Sequence, residues 1–246
     1  MIYSVQLWSV RDQFASDPTR TLEQLQSAGF TAVEPFDLVD FADNHADTAS
    51  RLGLSVPSAH VPLIGQADLS AVVGAASALG TRTLIDPGRR DGWDDPMAFR
   101  DFANDLNGHA RTLGPHGLRV GYHNHWWEFA TSGDSTALEV FAELLHPDVV
   151  LELDIYWASI GGVDAAALLR RLRKRVSLMH VKDGTVTPNP PFGSQVVAGS
   201  GEVPIAEALA AAPQALRVLE FDEYPGDLMG ALELGLRAVR ELDAQR

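Results

Sequence analysis

Short runs rich in Val and Leu alternate with longer stretches of helical period along the whole chain. The short runs predict strands over residues 2–7, 31–36, 54–60, 81–86, 119–124, 149–154, 176–180 and 216–220. Pro57 is a blemish in the third, because it brings no N–H to a ladder. The stretches between them carry helix signals. Asp17 caps and Pro18 takes the first helical position; Leu22, Leu25 and Ala28 mark an apolar face that Gly29 stops. Further helices are predicted over residues 41–52, 69–79 and 96–113, each followed by glycine, and over 136–145, 163–172, 205–211 and 228–242.

Eight strands in strict alternation with eight helices imply a parallel sheet, and the number eight implies closure. The predicted fold class is α/β, a single (β/α)8 TIM barrel spanning residues 1–246 as one domain. An open doubly wound sheet would show a Gly-rich turn after an early strand, whereas Gly199-Ser200-Gly201 comes late and follows no strand. The one long irregular segment, residues 183–201, follows strand seven and holds three prolines and four glycines. It is too long for an ordinary connection, so it reads as a substrate-facing loop.

A parallel barrel gathers the C-terminal ends of its strands on one rim, where reactive groups stand. The predicted strands end on Gln6 and Trp8; Glu34; His60; Asp86; His123, Asn124, His125 and Glu128; Asp154; His180, Lys182 and Asp183; and Glu220 and Asp222. A single Asp or His at a strand end is ordinarily a cap or a satisfied core group. Eight strands that all deliver polar groups point to a site. The sharpest candidates are His123 or Glu128, with Asp154, His180 and Glu220. Carboxylates plus imidazole, without thiolate, suit Mn, Mg, Co or Zn as the divalent metal. Such an ion polarises a carbonyl, and flanking carboxylates can pass a proton off and on. The candidates lie about 25 to 40 residues apart, so only the fold inference brings them together.

The five tryptophans, Trp8, Trp93, Trp126, Trp127 and Trp157, all fall at or just after a predicted strand end, and none within a predicted helix body. Any one of them is commonly core. Five on one rim suit the C–H faces of a sugar or polyol. Lys182 shares a strand side with His180 and reads as an anchor for a substrate hydroxyl or anion, or else as a surface lysine. The substrate-binding candidates are therefore Trp8, Glu34, His60, Asn124, His125, Trp127, Trp157 and Lys182.

Composition narrows the classes. The net charge is −14 and the pI about 4.8, which repels phosphate backbones and anionic membranes, so neither nucleic acid nor membrane is an expected partner. The dense cations of residues 170–175 read as a solvated helix end. There is no cysteine, which excludes disulfides and Zn–Cys sites. The first residues lack a signal-peptide pattern, and no apolar stretch approaches the roughly 18 residues that span a bilayer, so a cytoplasmic protein is expected. A homo-oligomer is left open.

The chain resembles the xylose-isomerase-like barrel superfamily, in its sugar phosphate isomerase/epimerase branch. The resemblance rests on Ser4-Val5-Gln6-Leu7-Trp8-Ser9-Val10-Arg11-Asp12, Gly121-Tyr122-His123-Asn124-His125-Trp126-Trp127-Glu128-Phe129, Leu151-Glu152-Leu153-Asp154-Ile155-Tyr156-Trp157, His180-Val181-Lys182-Asp183, Gly199-Ser200-Gly201-Glu202-Val203 and Leu219-Glu220-Phe221-Asp222. It covers nearly the whole chain, and its motifs are specific only together. It implies a divalent metal held by strands five to eight, with Asp154, His180 and Glu220 as ligands. Many relatives carry a Glu just before the Asn, where this chain has His123. The fourth ligand is then Glu128 or His123. The catalytic acid/base groups implied are Glu220 with Glu128 or His123.

The leading expectation is a metal-dependent isomerase or epimerase of a keto sugar or polyol derivative, acting through an enediolate. A lyase, such as a keto-inositol dehydratase or a 3-keto-glycoside eliminase, shares the first proton abstraction. A DNA-repair role, suggested by endonuclease IV in the same superfamily, conflicts with the −14 charge and the small number of histidines. A non-catalytic sugar sensor would bind its ligand without metal or Glu220.

Overall fold

The computed structural model describes residues 2–188, 190 and 192–245. Its main sheet has eight parallel strands: β1 (Tyr3–Gln6), β2 (Ala32–Glu34), β3 (Ser58–His60), β4 (Thr83–Asp86), β5 (Arg119–His123), β6 (Val150–Asp154), β7 (Val176–Val181) and β8 (Leu216–Leu219). The spatial order is β2-β1-β8-β7-β6-β5-β4-β3. The two ends of that order meet through Ser55, which bridges Ala32; Val33 N–H donates to Ser55 O at 2.9 Å and His60 N–H to Pro35 O at 2.8 Å. The sheet is thus a nearly closed barrel with helices outside it, the (β/α)8 architecture the alternation predicts.

The helices are α1 (Arg11–Ser16), α2 (Pro18–Ser27), α3 (Leu38–Arg51), α4 (Ser70–Leu79), α5 (Pro96–Leu113), α6 (Ala137–Leu144), α7 (Ile155–Ile160), α8 (Ala165–Leu172), α9 (Ile205–Ala211) and α10 (Leu228–Ala244). Two of the ten, α1 and α7, were not foreseen. The α7 sequence is apolar on nearly every side and shows no period. Its start is fixed by Asp154, whose side chain accepts from Trp157 N–H at 2.9 Å. Trp157 therefore lies inside a helix, contrary to expectation. Helix α3 starts ahead of the predicted residue 41 because Asp37 caps it through Asp40 N–H. Strand β3 is shorter than predicted and begins just after Pro57.

Side chains alternate between barrel interior and helix layer, with period two. The outward set, including Leu84, Val120, Leu151, Leu153 and Met179, joins the main core against the helices. The inward set is layered. Ile85, Val150 and Leu178, with Leu216 against them, form an apolar floor. Gly121 leaves room for it, since a Cβ there would come within 3.0 Å of Val150 Cγ2 and closer still to Ile85 Cδ1. Above the floor the inward residues are mostly polar: Gln6, Glu34, Ser58, His60, His123, Glu152, Asp154, His180 and Lys182 are all buried, with Val218, level with His180, as an apolar exception. Register sets their neighbours, as Asp154 on β6 pairs with His180 on β7.

The long segment after β7 is partly ordered by Asp183. Its Oδ1 accepts from the N–H groups of Gly184 and Val203, and its Oδ2 from those of Gly199 and Gly201. A short antiparallel ribbon pairs Asp183–Gly184 with Gln195–Val196. Within this segment Asn189 and Pro191 lie outside the described residues.

Candidate active site

At the C-terminal rim, His123, Asp154, His180 and Glu220 each offer one ligand atom, all within 4.8 Å of one another. They come from the ends of β5, β6 and β7 and from the residue after β8. His180 Nδ1 lies 2.7 Å from Glu220 Oε2. Lys182 enters from the same side: its Nζ lies 2.6 Å from Glu220 Oε2, 3.0 Å from Asp154 Oδ2 and 2.9 Å from Asp222 Oδ2.

Burial opposes charge on all these groups, and their neighbours decide the outcome. Burial works against an ionised Glu220, yet Lys182 and His180 hold its carboxyl well below the usual range. Burial pushes Asp154 up to about 6, against the pull of Lys182. Burial, with His180 adding to it, lowers His123 to about 3, so its imidazole is neutral and has a free lone pair. Burial disfavours charge on Lys182, but Asp154, Asp222 and Glu220 together raise it well above its ordinary value. Two imidazoles and two carboxylates fit a divalent ion of the Mn, Mg, Co or Zn kind. Asp154 Oδ2 supports that fit, since it is buried against the cationic Lys182 Nζ at 3.0 Å.

A second ring of polar groups lies one layer deeper. Glu34 Oε1 accepts from Gln6 Nε2 at 3.0 Å and lies 2.8 Å from His180 Nε2, while Ser58 donates to its Oε2. Glu152 Oε2 faces three imidazoles: His60 Nε2 at 2.8 Å, His180 Nε2 at 3.1 Å and His123 Nδ1 at 3.2 Å.

Above the rim is a cavity of about 260 Å³, walled by Trp8, Phe36, His60, Pro87, His123, His125, Lys182, Glu220 and Asp222. It shares Trp8 and Asp222 with a wider hollow of about 710 Å³ that also touches Trp157, Phe192 and Tyr224. Trp8 is 42% exposed and is held from behind by Phe36, edge-on at 5.5 Å, and by Arg11 at 4.7 Å. His125 stacks on Trp127 at 4.2 Å.

Several expected site residues stand elsewhere. Glu128 is not among the converging donors. Its Oε1 accepts from Tyr122 Oη at 2.8 Å and its Oε2 from His125 N–H at 2.9 Å, so it braces the turn after β5. Burial pushes its carboxyl up to about 8. Gly88, at φ +83°, lets the neighbouring turn approach, since a Cβ there would lie 2.8 Å from His123 O. Asn124 spends its amide on Asp154 and not on the cavity: Oδ1 accepts from Asp154 N–H at 3.0 Å and Nδ2 donates to Asp154 O at 3.3 Å. Trp93 is a core residue packed against Phe99, Tyr122 and Phe141. Asp86 accepts from the N–H groups of Leu63, Ile64 and Gly88. Glu152 was missed in the sequence. Its signal is the alternation Leu151-Glu152-Leu153-Asp154, which turns both acids inward.

A parallel barrel whose rim joins imidazoles, carboxylates and a lysine beneath an open cavity is the arrangement in which TIM-barrel enzymes carry their active sites. The chain belongs to the xylose isomerase-like TIM barrel family, whose sequence profile matches residues 22–226. Among solved structures it is similar to a sugar phosphate isomerase/epimerase from Parabacteroides distasonis ATCC 8503, with 18% identity and a TM-score of 0.77 over 98% of this chain and 93% of that one. A probable 3-DHS dehydratase, AsbF, from Bacillus anthracis matches with 15% identity and a TM-score of 0.77 over 98% and 99%. The IOLI protein with a bound zinc atom matches with 12% identity and a TM-score of 0.74 over 100% and 99%. No functionally curated protein shows significant sequence similarity to the chain. No helix among the described residues is long and apolar enough to cross a membrane.

Proposed function

We propose that the protein is a divalent-metal-dependent isomerase or epimerase of a keto sugar or polyol derivative. The observation that carries this reading is the convergence of His123, Asp154, His180 and Glu220 directly beneath the cavity. A metal held there by Asp154, His180, Glu220 and His123 would polarise the substrate carbonyl and its neighbouring hydroxyl. Glu220, kept ionised by Lys182 and His180, takes the proton from the carbon next to that carbonyl. The C–H electron pair moves into the carbonyl to give an enediolate, and a proton is returned to the adjacent carbon or to the opposite face. With Glu128 turned away and His123 on the metal, Glu220 can carry the proton it took to the adjacent carbon, and His125 is the cavity-wall imidazole left for the opposite face. Trp8 and Trp157 supply flat faces for the sugar, and Lys182 and Asp222 face its hydroxyls.

The test is exchange of solvent deuterium into a panel of ketopentoses and ketohexoses, followed by NMR. Glu220→Gln is expected to abolish exchange in a protein that keeps its fold by circular dichroism. Exchange at the wild-type rate would overturn the mechanism.

One observation favours a lyase as the second reading. The cavity wall carries three imidazoles, His60, His123 and His125. After the same proton abstraction, His60, which against its burial is raised above its ordinary value by Glu152 and Glu34, would as its imidazolium assist departure of a β substituent as its conjugate acid. Product mass separates the two readings, since loss of water or of an alcohol lowers it and isomerisation leaves it unchanged.

A further inference from the structure

We propose that His60, His123, Glu152 and His180 form a second cation site, one layer deeper in the barrel than the rim group, and that His180, giving up its ring N–H proton to solvent as the second ion binds, bridges the two as an imidazolate. The ligand is a zinc-type transition ion.

Geometry carries the argument. The four side chains come from β3, β5, β6 and β7, and each offers an atom within 4.8 Å of all the others. Three imidazole nitrogens surround one carboxylate oxygen, Glu152 Oε2, at 2.8, 3.1 and 3.2 Å. Ligands about 2.0–2.1 Å from a tetrahedral zinc stand about 3.4 Å apart. The side chains need open by only a few tenths of an ångström to admit the ion.

A second observation is separate from those distances. The other carboxylate oxygen, Glu152 Oε1, is buried on a fully buried residue and makes no hydrogen bond. Buried polar atoms in native proteins almost always have partners, and a carboxylate oxygen without one is suited to an ion. The pocket has no room to recruit solvent from below, because the apolar floor of Ile85, Val150 and Leu178 closes it. Glu34, fixed by Gln6 and Ser58, holds the His180 ring through Nε2, and the ion would take over that nitrogen.

His180 joins the two layers because its ring nitrogens face opposite ways. Nδ1 looks to Glu220 at the rim and Nε2 to Glu34 and Glu152 below. With both sites filled, His123 belongs to the deep one through Nδ1. The rim ion keeps Asp154, Glu220 and His180 Nδ1, with open positions toward the cavity. Three nitrogens and one oxygen select zinc or cobalt over magnesium. The rim ion belongs to the function proposed above; the deep site does not depend on it.

Metal counting on chelator-stripped, full-length protein tests the proposal. After loading with zinc and gel filtration, elemental analysis is expected to give two equivalents per chain. His60→Ala and Glu152→Gln are each expected to leave one, and Asp154→Asn to leave the other. Cobalt loaded into Asp154→Asn should show the intense visible bands of a four-coordinate ion, and these should vanish when His60→Ala is added. A wild-type value of one equivalent that His60→Ala and Glu152→Gln do not change overturns the deep site and leaves the rim reading standing. One equivalent that persists in Asp154→Asn and is lost in His60→Ala supports the deep site and removes the rim ion. Zero equivalents removes both. Should a variant fail to fold, anomalous scattering at the zinc edge from wild-type crystals decides, with two peaks expected and a single rim peak refuting.

Discussion

Glu128→Gln is expected to change the sign of its effect on stability with pH. In the wild type this carboxyl is wholly buried and pushed up to about 8, because burial outweighs the hydrogen bonds from Tyr122 and the His125 N–H. In the unfolded chain it ionises from about pH 4.3. Between those two values the unfolded state gives up its proton and the folded state keeps it, so stability falls as pH rises. The loss is about 1.4 kcal/mol for each pH unit, on the order of 5 kcal/mol in full. Glutamine cannot ionise and escapes this loss. Its NH2, however, faces one of the two donors that the carboxylate accepts, at a cost of about 1–3 kcal/mol. The variant is therefore less stable than wild type at low pH and more stable at pH 8.5, with the crossing between about pH 5 and 6.5. Urea unfolding across that range, at unchanged m-value, gives the two curves. Parallel curves would refute the reasoning. A lost metal equivalent in the variant would return Glu128 to the ligand set.

Lys182→Met removes the ammonium that sits against Asp154, Glu220 and Asp222. It is expected to tighten manganese binding at the rim at least tenfold by calorimetry while lowering the Tm of the metal-free protein; unchanged affinity would show that the lysine does not compete. Asn124→Ala strips two hydrogen bonds from the Asp154 backbone and should cost about 1–3 kcal/mol in urea unfolding, with kcat falling more than KM rises. Trp93→Ala should cost about 3–5 kcal/mol and leave KM unchanged. Trp8→Ala should alter stability by only about 1 kcal/mol and raise KM severalfold.

The barrel was legible because each strand run is short and apolar and ends in a polar residue, and because glycine or proline marks most helix ends. Helix α7 was not legible: a helix buried on most sides loses the period that reveals amphipathic ones. At the rim, sequence pattern gave the inward direction of Asp154, His180 and Lys182 through strand period. The choice between His123 and Glu128 turns on which way the chain bends after β5, and that is set by Tyr122 and Gly88, outside any local pattern. Trp93 shows the same limit, as nearness to a strand end does not say whether a ring faces the cavity or the helix layer. Glu152 lies two places before the strand end and shares the face of Asp154, so the last residue of the strand does not mark it.

Asp183 carries a consequence for how this protein changes over generations. One carboxylate ties both ends of the segment that brings Phe192 and Gln195 to the mouth, through four backbone amides that no side-chain substitution removes. The loop between those ties is therefore a replaceable cassette. Its length and chemistry can be rewritten, by drift or by grafting, while Glu220, His180 and the barrel beneath keep their places, so that new substrates can be tried without disturbing the reaction.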